Sequence, residues 1–199
     1  MSNRRASILD AAAELIAEKG YAQTSVDDII KKADLSGKSH FYHYFKSKEE
    51  LGYQVLTRQF DLLAERGLAI LREPTLAPLE RLNLFIDSVV ALQAERGLKG
   101  GSPFGILATE MAEQDEGFRV RIAQVFRGWS REIEGLLAQV RPQFGDDVSP
   151  QRLARFVIAT LEGATVMARM KRDVGIMHGI AVDLKRFVAS HLRQPTGSF

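Results

Sequence analysis

The stretch Ala33–Leu51, ADLSGKSHFYHYFKSKEEL, holds the residues best suited to chemistry in this 199-residue chain. Gly37-Lys38-Ser39 has the ending of a phosphate-binding loop, but such a loop needs a glycine five residues earlier and a buried strand before it. Lys32 stands at that position, and Val26–Ala33 has helical spacing, so the nucleotide reading fails. His40 and His43 lie three residues apart, while His178 and His191 are distant and no carboxylate–histidine set completes a coordination sphere; no metal is expected. The acidic run Glu110–Glu116 could be offered as paired catalytic carboxylates, but its density beside helix starts is that of a solvated loop. No histidine is paired with a nucleophile. Neither catalysis nor a cofactor is expected.

What remains is charge. Lys31 to Lys48 carries five lysines against the single acid Asp34, interleaved with Phe41, Tyr42, Tyr44 and Phe45. A basic patch with interleaved aromatics is the usual footprint of contact with a phosphate backbone, and a solvated charged face is the alternative. The whole chain has a net charge of only +2, and residues 1–50 balance eight Lys/Arg with eight Asp/Glu, so local placement decides.

The elements that must position this patch are helices. Ile8, Ala12, Leu15 and Ile16 form one apolar stripe that stops at Gly20. Ser25 and Asp28 have capping-box spacing ahead of Val26, Ile29, Ile30 and Ala33. After a break at Asp34–Gly37, Phe41 and Phe45 point a short helix inward at a spacing of four. Two short helices joined by a glycine-containing turn read as a helix-turn-helix, whose second helix enters the DNA major groove. Here that helix is Lys38–Tyr44. Further helices are expected from a Ser47 capping box through Leu71, around Leu82–Leu92, over Phe104–Ala112, and over Phe118–Val140. Two more run from Ser149-Pro150 to about Arg172 and over Ile180–Leu192. The fold class is therefore all-α, with about nine helices and no strand.

Composition sets outer bounds. With 45% hydrophobic and 26% charged residues there is ample material for a core. There is no cysteine, which excludes a disulfide framework and suits a reducing cytosol. No signal peptide and no run of about eighteen apolar residues is present, so no membrane partner is expected.

Residues 7–52 resemble the DNA-binding domain of TetR-type transcriptional regulators. The resemblance rests on Thr24-Ser25-Val26-Asp27-Asp28-Ile29 and on Phe41-Tyr42-His43-Tyr44-Phe45-Lys46-Ser47-Lys48-Glu49-Glu50-Leu51. Gly100–Gly105 is similar to a glycine-rich segment in one branch of that family. Between Leu35-Ser36 and Phe41-Tyr42 the chain carries one residue more than the usual pattern, which leaves base contacts within Gly37–His40 open by one position. The resemblance implies a DNA-binding domain over 1–47 and a ligand-binding and dimerisation domain over 48–199. Lys48, in the first turn of its helix, and the Tyr42 hydroxyl would hold phosphates. Lys38, Ser39, His40 and His43 would meet base edges, with Ser25, Gly37 and Lys46 completing the DNA-binding set. An apolar ligand cavity is implied, with Phe60, Phe85, Val89, Phe104, Leu107, Met111, Phe126, Trp129, Met167 and Met170 as candidate lining; core packing is the alternative for each. The helix around Leu153–Ala168 is apolar on two sides, as in a dimer interface or a central helix of a monomer. The dimer candidates are Phe156, Ala159, Gly163, Met167, Leu184, Phe187 and Val188. The expected protein is a cytoplasmic homodimeric regulator, a repressor of a palindromic double-stranded operator released by an unidentified apolar or aromatic inducer. A helical interaction protein or a recruited enzyme on the same fold is the alternative.

Overall fold

The structure, a computed structural model, describes residues 2–95 and 115–193, without the side chains of residues 2, 3, 59, 60 and 62–64. The expected helix at Phe104–Ala112, the run Gly100–Gly105 and the acidic residues before Asp115 lie outside the described residues. Within them the chain is all-α: α1 (Ser2–Lys19), α2 (Val26–Lys32), α3 (Lys38–Tyr44), α4 (Lys48–Leu71), α5 (Pro78–Glu95), α6 (Glu116–Gln139), α7 (Pro150–Lys171) and α8 (Gly175–Ser190). One 3₁₀ turn, Arg141–Gln143, follows α6. Among the described residues there is no strand, only an isolated bridge between Phe144 and Leu192. No described helix is long and apolar enough to cross a membrane.

Two compact units emerge: residues 2–63 with 115–125, and residues 64–95 with 126–193. In the first, local signals set the ends of the elements. Gly20 takes φ 88°, a left-handed value glycine reaches without strain, and stops α1. Ser25 caps α2 in a full capping box with Asp28. Asp34, at φ 51°, turns the chain after α2, and Gly37 at φ 153° opens α3. Ser47 behaves differently from its expected box. Its hydroxyl accepts the Glu50 N–H at 3.1 Å, but the Glu50 carboxylate reaches past it to the Lys46 N–H at 2.7 Å.

The second unit is a helical core filled by Leu82, Ile86, Ile133, Leu137, Phe144 and Val157 among others. Ser149 caps α7 and Pro150 occupies its first turn, while Arg172 closes it at φ 53°. The last helix begins at Gly175, five residues before the expected Ile180. Gly175 and Gly179 are poor helix formers, so propensity alone reads this segment as loop. Burial of Met177 and the Asp173 carboxylate accepting the Gly175 N–H at 2.8 Å carry the helix through it.

Two glycines in helix interiors differ in what surrounds them. A Cβ at Gly52 would lie 2.6 Å from the Tyr21 ring and 2.8 Å from that of Phe118, whereas one at Gly135 meets nothing within 4 Å. Gly135→Ala is therefore expected to raise stability by about 0.5–1 kcal/mol through helix propensity. Gly52→Ala is expected to lower it by about 1–3 kcal/mol through overpacking. Urea unfolding of both variants checks this; a stabilised Gly52→Ala would contradict the packing described.

Candidate nucleic-acid interface

The site is built on a helix of seven residues. Phe41 and Phe45 are 0% and 1% exposed, and their rings lie 5.9 Å apart in the core of the first unit. Helical spacing then turns the intervening positions outward. Lys38, Ser39, Tyr42 and His43 are exposed, Tyr42 by 52%, and His40 is half-buried. The Tyr42 ring stands edge-on to Phe41 at 5.3 Å, which anchors its base and leaves its hydroxyl end outward. Ser36, Gly37, Ser39, His40 and His43 line an open hollow of about 430 Å³. Ser36 is an addition to the expected set; its hydroxyl lies 3.3 Å from His40 Nδ1. Its position in the turn, one residue before Gly37, is the signal that could have found it.

The structure thus brings Gly37, Lys38, Ser39, His40, Tyr42 and His43 together on α3. Ser25 is exposed at the start of α2, its hydroxyl engaged in that helix's cap. Lys46 is exposed in the turn before α4, and Lys48 is half-buried at the start of α4.

The basic patch is more compensated than its sequence indicates. Lys38 pairs with Asp27 at 3.3 Å, Lys32 with Glu14 at 2.8 Å, and Lys19 with Asp28 at 2.7 Å. The Lys48 ammonium sits 4.4 Å above the centre of the Tyr21 ring and 3.5 Å from the Ala22 carbonyl. The Lys38–Asp27 pair is more than 60% exposed on both sides, so water and salt screen it and a phosphate can displace the carboxylate at little cost. Lys32, in contrast, is tied to α1 and serves the packing of the head; its hydrogen bond to Glu14 holds its pKa above the ordinary lysine value. Among the described residues no group of three His, Cys, Asp or Glu is placed to hold a metal ion.

The remaining candidates lie in the second unit or outside the described residues. Phe85 and Trp129 meet with ring centres 5.2 Å apart, and a Cβ at Gly67 would lie 2.5 Å from the Trp129 ring. Val89 and Phe126 are partly buried. Met167 and Met170, at 54% and 70% exposed, do not join that interior cluster; they stand on the outer side of α7. Phe104, Leu107 and Met111 are outside the described residues, as is the side chain of Phe60. Phe156, Ala159, Gly163 and Met167 share the exposed side of α7, and Phe187 stands 4.7 Å from Phe156 across to α8. Leu184 and Val188 are not on that surface: at 2% and 3% exposed they lie on the adjoining side of α8, turned into the core.

A three-helix head whose second turn-linked helix is buried by two phenylalanines and polar on its outer side defines a helix-turn-helix DNA-binding protein. Residues 8–52 match the profile of bacterial regulatory proteins of the tetR family, and residues 78–182 that of the C-terminal domain of LmrA/YxaF-like transcriptional regulators. The chain belongs to the tetR family and is a DNA-binding transcriptional regulator. It is 31% identical to the transcriptional regulator AcuR of Cereibacter sphaeroides over 86% of this chain and 79% of that one. It is 26% identical to the transcriptional repressor DhaR of a Mycobacterium species, over 85% and 84% of the two chains. The crystal structure of a regulatory protein TetR from Rhodobacter sphaeroides superposes with a TM-score of 0.84 at 29% identity, covering 94% of this chain and 98% of that one.

The head also has a pH signature. The Asp28 carboxylate takes the Lys19 ammonium at 2.7 Å and the Ser25 hydroxyl and N–H at 2.6 and 2.9 Å. These contacts, the Lys19 hydrogen bond first, hold its pKa well below the ordinary carboxylate range. A depressed folded value adds stability above the unfolded pKa of about 4, and that stability is lost as pH falls from there toward the folded value. Asp28→Asn is expected to lower the melting temperature at pH 7, with the gap to the unaltered protein closing below about pH 4. A gap equally wide at pH 7 and at pH 3 would contradict the assignment.

Proposed function

We propose that this regulator is a homodimeric repressor that reads a palindromic operator with the outer face of α3 and is released by a small apolar or aromatic ligand. The observation that carries the reading is the division of α3 and its C-cap: Phe41 and the C-cap Phe45 are sealed in the core while Lys38, Ser39, Tyr42 and His43 are presented together. Lysine and histidine donors suit the acceptor edges of guanine, and Tyr42 and Lys48 suit phosphates. Residues 1–47 form the reading head in this proposal, and residues 48–199 sense the ligand and dimerise.

Regulators of this family bind DNA and dimerise. The surface that fits a second copy is the exposed apolar side of α7 and α8. It carries Phe156, Val166, Met167, Met170 and Phe187, whose exposure in one chain a partner would remove. For the ligand, the Phe85–Trp129 pair marks an aromatic interior, and on the same helix as Phe85 the buried Gln93 has an Oε1 with no hydrogen-bond partner among the described residues. A ligand coupled to DNA binding by about 1–3 kcal/mol would weaken the operator complex some 5- to 150-fold. Action on DNA in the cytoplasm follows from this role.

Selection of bound duplexes from a random pool is expected to return a palindrome with half-site centres about 34–36 Å apart. Gly163 provides the paired test. It is exposed, and a Cβ there meets nothing within 4 Å of its own chain, so Gly163→Glu leaves the monomer fold intact. The variant is expected to sediment as a monomer and to lose the palindromic preference. Unchanged dimerisation would move the interface elsewhere, and enrichment of no sequence at all would contradict operator reading.

A further inference from the structure

Lys48 does not extend freely from its helix. Its ammonium lies 4.4 Å over the ring of Tyr21, a residue between α1 and α2 that is 4% exposed. The Tyr21 ring meets Phe118 of α6 in a T-shaped contact at 5.4 Å, and Phe118, fully buried, stacks on Tyr53 of α4 at 4.2 Å with 22° between planes. Tyr53 donates its hydroxyl to Asp115 Oδ1 at 2.6 Å, and the same oxygen accepts the Phe118 N–H at 3.1 Å. One carboxylate thus caps the start of α6 and fastens the outer ring of the stack. Gly52, one turn after Lys48, is what lets the rings of Tyr21 and Phe118 rest against the backbone of α4, where any side chain would collide.

The polar ends of the two tyrosines show which part of each is used. The Tyr53 hydroxyl is committed to Asp115, which pushes its pKa up to about 12. The Tyr21 hydroxyl is buried and has no hydrogen-bond partner among the described residues, a costly arrangement for a group with no task. The ring of Tyr21, not its hydroxyl, makes the contacts described, one with Phe118 and one with the Lys48 ammonium. A buried ring packed against Phe118 and the backbone of α4 is a fixed platform, and a cation held over it loses less side-chain freedom when it closes on a phosphate.

We propose that Tyr21 is a positioning residue for Lys48: the stack Tyr21–Phe118–Tyr53 fixes the ammonium for a DNA phosphate, and opening the Tyr53–Asp115 bond loosens it. This rests on the reading of Lys48 as a phosphate contact. It gives the first turn of α6 a route to the DNA-binding head through rings in direct contact, all within the first unit.

The test is a double-mutant cycle on a short random-sequence duplex, joined to side-chain NMR of the full-length protein. Lys48→Ala is expected to weaken binding and reduce the salt slope by about 0.9. Tyr21→Leu is expected to weaken binding about 3- to 10-fold in the presence of Lys48 and to have no effect in the Lys48→Ala background. Tyr21→Phe keeps the ring and removes only the unpartnered hydroxyl, so affinity is expected to hold and the melting temperature to rise. The ring-current upfield shift of the Lys48 ε-methylene is expected to vanish in Tyr21→Leu, persist in Tyr21→Phe and shrink in Tyr53→Phe. Additive losses in the cycle, or a Lys48 shift insensitive to Tyr21→Leu, would overturn the positioning role while leaving the phosphate reading intact. A Lys48 shift unaltered by Tyr53→Phe would overturn the latch. An unchanged salt slope in Lys48→Ala would sink the phosphate reading and the proposal with it.

Discussion

Burial of Phe41 and Phe45 is the constraint on which the DNA-binding head depends. Helices of seven residues, as α2 and α3 are, do not persist in water, because the cost of the first turn exceeds what so few further bonds return. Neither carries enough propensity to change that. The pair exists because α3 and its C-cap place two aromatic rings, Phe41 and Phe45, into the core, each contributing about 1.5–3 kcal/mol of apolar burial. The same helical period that sends those rings inward sends Lys38, Ser39, Tyr42 and His43 outward. Packing and presentation are therefore one event: nothing can loosen the inner face of α3 without also dispersing the outer one.

Charge in the head is arranged around that event and does not drive it. Lys19, Lys32 and Lys38 each find a carboxylate on α1 or α2, and only the exposed Lys38–Asp27 pair is easily exchanged for a phosphate. Counting lysines between 31 and 48 consequently overstates the free positive charge. What distinguishes the face is the placement of a few cations at points where their present partners are weak or, for Lys48, aromatic.

The parts legible in the sequence were those fixed by short-range chemistry. Gly20 as a helix stop, Ser25 with Asp28 as a capping box, and Ser149-Pro150 as a helix start depend only on neighbours within a turn, and each stands in the structure. The all-α class follows from the period of the apolar residues. The parts that escaped depend on partners far along the chain. Asp27 under Lys38, Glu14 under Lys32 and Phe118 between Tyr21 and Tyr53 have no local signature. The early start of α8 escaped because Gly175 and Gly179 argue locally against a helix that Met177 is buried to support. A helix apolar on two sides was readable in α7, but not which side faces its own core. On α8, Leu184 and Val188 belong inside and Phe187 outside, a distinction of one helical step that periodicity without a known core direction cannot make.

Amide hydrogen exchange of the full-length protein with and without a duplex selected from a random pool tests the central claim most directly, because it reports which backbone the DNA covers. Added protection is expected over residues 36–48, the turn, α3 and the first turn of α4, with the buried side of α1 unchanged. Protection that falls elsewhere while residues 36–48 exchange as before would contradict it.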